Sequence, residues 1–230
     1  MMKKLLSLAL VLTALLSISI VTNAEEREPV DPEVRFEEHI NSMTDKYNEN
    51  IATKIASYEE NMAKKLDNIT KKKEIVALYA PELINTYDTS YDAHLDIHAS
   101  LFNEHLTLRE ESFDLFLNGL IDLKDELFPL AEAGEMTYKD VGEAFKSYRE
   151  EQRAYTTSVM DAYKASIADL DDANETNKAV VEGLKVNLRA AVESEDLDAA
   201  NAIITELHDY LVQHVAYDNA KLAILETVEF

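Results

Sequence analysis

The sequence of 230 residues contains no cysteine. Disulfide bonds, a cysteine nucleophile and lipid attachment to a cysteine are therefore excluded, and packing alone must hold the fold together. Proline and glycine are also scarce, with four residues of each. Because so few residues interrupt the chain, it can form long helices.

Positively charged residues are also scarce. The chain has 22 lysine and arginine residues against 45 aspartate and glutamate residues, a net charge of −23. This balance excludes a nucleic-acid-binding protein, since such proteins must neutralise phosphates. It also disfavours direct binding to anionic lipid or teichoic acid unless divalent cations bridge the like charges. At 47% hydrophobic residues, the chain can nevertheless bury a core and need not be disordered.

The first residues read MMKKLLSLALVLTALLSISIVTNA. A basic start, an apolar run and a small residue at Ala24 are typical of a secretory signal peptide, which we predict for residues 1–24. Residues 25–31 then form a short extension. The apolar run is somewhat long, so an uncleaved membrane anchor is the alternative. Either way we predict export to the cell surface or the exterior.

Apolar residues recur at spacings of three and four over most of the chain, and no segment alternates with period two for long. This pattern predicts amphipathic helices rather than strands. We therefore predict an all-α fold, an elongated antiparallel bundle of about four long helices in a single domain over 32–230. The predicted helices cover residues 32–79, 82–127, 138–193 and 196–227.

Capping signals set the helix starts. Asp31 precedes Pro32, which predicts an N-cap followed by proline at the first helical position. Thr137, three residues before Asp140, imitates a capping box. We place a turn near Ala80, just before the next proline.

The ends are less well marked. We predict that the second helix stops near Leu127, because Phe128-Pro129 and Gly134 follow it. The third helix is predicted as one segment, although Asp171, Asp172 and Asn174 could divide it.

An eleven-residue repeat runs along the first predicted helix. Aromatic or apolar residues recur at this interval, at Phe36, Tyr47, Tyr58 and Ile69. Eleven residues in three turns give straight or slightly right-handed packing. Such stripes could also pair between two copies of the chain, so a homodimer is possible.

Known catalytic motifs are absent from the sequence. None of the six histidines has an acidic residue three positions before it, as di-iron bundles require. The chain also lacks an HExxH motif, a glycine-rich phosphate loop and a GxSxG motif. We predict no catalytic residues and a non-enzymatic protein.

The segment YDAHLDIHASLFNEH contains three histidines that could form a binding site. His94, His98 and His105 fall within roughly 40° of one another on a helix, on the inward stripe. His214 and Asp218, one turn apart on the fourth predicted helix, could face them. The favoured interpretation is a seam of neutral, hydrogen-bonded histidines without a cofactor. The alternative is a site for a divalent metal ion or haem that uses His94, His98, His105 and His214.

The segment SYREEQRAYTTSVMDAYKASIADL (147–170) and the acidic turn ESEDLDAAN resemble the C-terminal half of a Gram-positive family, the cell-wall-binding lipoproteins. The resemblance covers residues 138–228. It consists of tyrosines that recur along the segment and of an AYKxS-type motif. It implies an exported helical protein that binds the cell wall. This chain differs from members of that family in lacking the cysteine to which their lipid is attached.

These observations lead to one expected function and one alternative. We expect an exported, non-enzymatic helical protein with a binding or structural role in the cell envelope. Its expected partner is a cell-wall polymer or an envelope protein, reached through divalent cations. The alternative is a secreted helical bundle that binds a metal ion or haem through the inward-facing histidines.

Overall fold

The computed structural model describes residues 31–230. Its regular structure is entirely helical in that range, and five α-helices pack together, which confirms the predicted all-α class. The predicted signal peptide and residues 25–30 lie outside the described range. The helices are α1 (Pro32–Tyr79), α2 (Ile84–Glu132), α3 (Tyr138–Ser166), α4 (Ala168–Glu193) and α5 (Leu197–Leu225), with a 3₁₀ turn at Pro81–Leu83 between α1 and α2.

The predicted helix starts are present. The Asp31 carboxylate accepts a hydrogen bond from the Glu33 amide at 2.9 Å, directly before α1. At the start of α3, the Thr137 amide donates to Asp140 at 2.9 Å, and the Asp140 amide donates to the Thr137 hydroxyl at 3.2 Å. The hydrogen bonds at both helix starts satisfy backbone amides that have no partner inside the helix.

The predicted end of the second helix near residue 127 is wrong, because α2 continues through Pro129 to Glu132. A proline removes only its own amide donor, and the chain after it still forms backbone hydrogen bonds. Gly134 follows the end of α2 by two residues and has φ of +74°. There the Gly134 amide donates to Ala131 at 3.1 Å and the Glu135 amide to Leu130 at 2.9 Å. This is a Schellman motif, and glycine allows the left-handed conformation that it needs.

The segment predicted as one helix over 138–193 forms two helices, separated at Ile167. Ile167 has φ of −104° and ψ of 2°, outside the usual helical values. The interruption is local, since the Ile167 amide still donates to Tyr163 and the Asp171 amide donates to Ile167. Asp171, Asp172 and Asn174, the alternative break that the sequence offers, lie inside α4.

A second Schellman motif ends α4, with Glu195 at φ of 57°. The Asp196 amide donates to Ala191 at 2.9 Å, and the Asp196 carboxylate accepts the Ala199 amide at 3.0 Å. One residue therefore closes α4 and caps α5, which fixes the turn between these two packed helices.

The described residues form two compact units. The first comprises 31–56, 109–160 and Phe230, and its core contains Met43, Leu120, Phe128, Val141 and Phe145. Phe36 packs on this core, with its ring 5.5 Å from that of Phe145. Tyr47, the next residue of the eleven-residue repeat, stacks on Phe113 at 3.9 Å.

The second unit comprises Ser57–Leu108 and Asp161–Glu229. Its core contains Ile69, Val76, Ala80, Tyr87, Tyr91 and Ile204. The repeat residue Tyr58 stacks on Phe102 at 3.9 Å in the same unit. Among residues 31–230, no helix combines the length and the apolar character that crossing a membrane requires.

Candidate metal centre

Four potential metal ligands meet inside the second unit. His94 and His98 lie one turn apart on α2, and His214 and Asp218 lie one turn apart on α5. Residues at this spacing share one face of a helix, so each helix presents a pair of ligands. One ligand atom from each residue lies within 4.8 Å of the other three.

The distances to the carboxylate suit a shared cation better than hydrogen bonds. Asp218 Oδ2 lies 3.5 Å from His214 Nε2 and 3.7 Å from His98 Nε2. Both distances exceed the normal range for a hydrogen bond to nitrogen. Ligand atoms about 2.0–2.1 Å from a tetrahedral zinc ion stand about 3.3 Å apart, so these pairs are already near that separation.

Two polar atoms at this position have no hydrogen-bond partner within the described range. They are Asp218 Oδ2 and His94 Nδ1, and both are buried. Asp218 as a whole is only 4% exposed. Leaving a buried carboxylate oxygen unsatisfied is costly, and native structures seldom do so without an ion or a water. A bound cation would remove this cost.

Asn174 of α4 orients one of the histidines. Its Oδ1 lies 3.2 Å from His214 Nδ1, and Asn174 is 7% exposed. An amide oxygen can only accept, so Nδ1 carries the proton and donates. The proton-free nitrogen of His214 is therefore Nε2, which lies 3.5 Å from Asp218 Oδ2. Metal-binding histidines are commonly fixed by such a second contact.

The three histidines are held in the neutral form that binds metals. Burial, together with the neighbouring His98 and His214, lowers the pKa of His94 to about 3. Burial also lowers the pKa of His98 and of His214, although the Asp218 carboxylate opposes the shift in both. Neutral imidazoles keep a lone pair free, so no proton must leave before a metal ion binds.

Lys65 of α1 supplies a positive charge close to the cluster. Burial lowers its pKa, and Asp218 partly offsets this effect. The Lys65 ammonium in turn helps to lower the pKa values of His94, His98 and His214. It is therefore an electrostatic competitor for any cation that binds here.

The structure unites three of the four histidines named from the sequence, together with Asp218. It does not bring His105 to them, because the His105 ring lies against Tyr163 with a centroid distance of 6.2 Å. His105 is seven residues beyond His98, which is about 10 Å along the helix. Outside the cluster, His208 forms a hydrogen bond of the kind expected for the seam, since its Nε2 lies 3.0 Å from the Ser90 hydroxyl oxygen. Sequence reasoning missed the parts played by Asn174 and Lys65.

We compared the chain with protein-family profiles, curated proteins and solved structures, and found no match in any of them.

Proposed function

We propose that this protein is exported and binds one divalent transition-metal ion through His94, His98, His214 and Asp218. The observation that supports this most is the convergence of four ligand atoms within 4.8 Å, one of them a buried carboxylate oxygen without a hydrogen bond. Two helices from distant parts of the sequence supply these atoms. The tight turns at Pro81–Leu83, Gly134 and Glu195 also support our proposal that the two helices joined by each of these turns pack antiparallel.

The ligand types select the class of ion. Three imidazoles and one carboxylate suit Zn²⁺ and its first-row neighbours, whereas Ca²⁺ and Mg²⁺ prefer oxygen ligands. Four protein ligands fill a tetrahedral sphere, which is typical of structural rather than catalytic sites. This agrees with a non-enzymatic role. Haem fits less well, because the porphyrin occupies four positions of its iron and leaves two at most for the protein.

Calorimetric titration with Zn²⁺ tests the proposal on the purified chain after treatment with EDTA. We expect one ion per chain, and loss of that binding in His98→Ala/His214→Ala. His105→Ala is the matched control, since it removes a histidine of α2 outside the cluster, and it should bind zinc normally. Equal binding by the double variant and the control would reject the site, as would no binding by the wild type.

Attachment to the cell wall is a second candidate function. It is favoured by the signal-like leader and by the resemblance of residues 138–228 to cell-wall-binding lipoproteins. Co-sedimentation with purified sacculi, with and without EDTA, tests it. Retention that EDTA abolishes would support cation bridging between two acidic surfaces, and a protein that stays in the supernatant in both conditions would exclude wall binding.

A further inference from the structure

A cavity of about 580 Å³ lies among α1, α2, α4 and α5 in the second unit. Its volume is within the range of small-molecule sites, about 300–1,000 Å³. Much of the wall is aliphatic and comes mainly from α4 and α5, including Val76, Val181, Leu188, Ile204, Leu207 and Leu211. An apolar body enclosed here would be removed from water, which favours binding.

The charge around this cavity is opposite to that of the chain. Four basic residues line it against one acid, Glu182, although acids outnumber basic residues about twofold in the sequence. The basic residues are Lys72 of α1 and Lys178, Lys185 and Arg189 of α4. The local field therefore attracts an anion, in a protein that otherwise repels anions.

Two of these lysines, Lys72 and Lys185, line the same cavity and affect each other electrostatically. Lys185 lowers the pKa of Lys72, in addition to the larger effect of burial. The Lys72 ammonium lies 5.5 Å from the centroid of the Tyr91 ring. Lys185 contacts Glu182 at 2.6 Å, and an ammonium has three donors, so two remain.

We infer that this cavity binds an amphipathic organic anion, a long-chain carboxylate, with its alkyl chain against the aliphatic wall and its carboxylate at Lys72 and Lys185. The apolar interior and the basic residues each match one part of such a ligand. His94 and His214 also border the cavity, so it adjoins the candidate metal centre. Its apolar and basic walls do not depend on a metal ion, and the inference stands apart from the proposed function.

Calorimetry with laurate, carried out on the full chain in EDTA, tests this inference without any metal. We expect laurate to bind more tightly than dodecanol, and dodecyltrimethylammonium to bind least. Lys72→Gln/Lys185→Gln should weaken laurate binding by about tenfold or more, because charge-assisted hydrogen bonds are lost. Lys71→Gln/Lys164→Gln is the matched control. Both of its lysines form exposed ion pairs, with Asp67 and Asp161, and do not line the cavity.

A second variant probes the apolar part. Val181→Phe places a larger side chain in the wall and should weaken both laurate and dodecanol, while the helical circular dichroism stays unchanged. Three results would each overturn the inference: no laurate binding, equal binding of the cationic amphiphile, or equal loss of affinity in the two lysine double variants. Zinc binding by Lys72→Gln/Lys185→Gln is measured separately, so failure of the cavity and failure of the metal site remain distinguishable.

Discussion

Gly119 of α2 lies so close to Tyr148 of α3 that a Cβ atom at Gly119 would stand 2.0 Å from the tyrosine hydroxyl oxygen. That hydroxyl donates to the backbone carbonyl of Leu115 at 3.3 Å or of Phe116 at 3.4 Å. The Tyr148 ring also stacks on the Phe116 ring at a centroid distance of 6.0 Å. The tyrosine thus occupies the space that a side chain at position 119 would need.

We expect Gly119→Ala to lower the free energy of unfolding by about 1–3 kcal/mol, because the tyrosine must leave its position. This would occur although alanine favours a helix over glycine by about 1 kcal/mol. Gly142→Ala is the control, since a Cβ there meets no atom within 4 Å, and it should stabilise the protein. Urea unfolding measures both, and equal shifts would contradict the close approach.

Removal of the Asn174 side-chain oxygen should weaken zinc binding. Asn174 holds His214 in the tautomer that offers Nε2, and loss of such contacts typically costs 10- to 100-fold in metal affinity. We therefore expect Asn174→Leu to raise the Kd for Zn²⁺ by about that factor. Asn177→Leu, one turn further along α4, is the control, because Asn177 contacts Gln213 instead. Similar affinities for the two variants would show that His214 needs no such support.

Neutralising Lys65 should have the opposite effect. The Lys65 ammonium interacts with Asp218 and with the three histidines of the cluster, and it repels an incoming cation. Lys65→Gln should therefore bind Zn²⁺ several-fold more tightly than the wild type. Lys64→Gln removes a neighbouring lysine that pairs with the exposed Glu60, and its affinity should not change. Competition with a chelating dye measures both, and weaker binding by Lys65→Gln would argue against the assigned position of the ion.

Acid should destabilise the metal-free protein through His94. Its pKa is about 3 in the folded chain, whereas an unfolded histidine titrates near pH 6.5. The unfolded state therefore binds the proton first, and stability is complete above about pH 6.5 and declines as the pH falls towards 3. We expect His94→Gln to reduce this decline. Urea midpoints in EDTA between pH 7.5 and 4.5 measure it, and parallel curves for both proteins would contradict the shift.

How far the sequence predicts the helices depends on the kind of signal at each boundary. Starts were predictable at Asp31 and Thr137, because a cap is a local exchange of hydrogen bonds between neighbours in sequence. The continuation through Pro129 was not, since one missing donor can be tolerated when the next residues still pair. The interruption at Ile167 had no glycine or proline to mark it.

The site was predictable only within each helix. Helical spacing paired His94 with His98 and His214 with Asp218, because residues four apart share a face. Helical spacing does not determine the axial register of two packed helices. His105 therefore remained among the candidate ligands. Asn174 belongs to a third helix, and its residue type indicated a break rather than a contact with a histidine.

The ligand pairs on α2 and α5 are distant in sequence, since His98 and His214 are 116 positions apart. A metal ion that holds both would tether the chain into one long loop, as a disulfide does in many exported proteins. For a covalent cross-link, a loop of about 100 residues reduces the entropy of the unfolded chain by the equivalent of about 4.7 kcal/mol. In a chain without cysteine, the ion would provide a cross-link that depends on metal supply rather than on oxidation. Zinc limitation would then increase proteolysis of this protein, and reducing conditions would not.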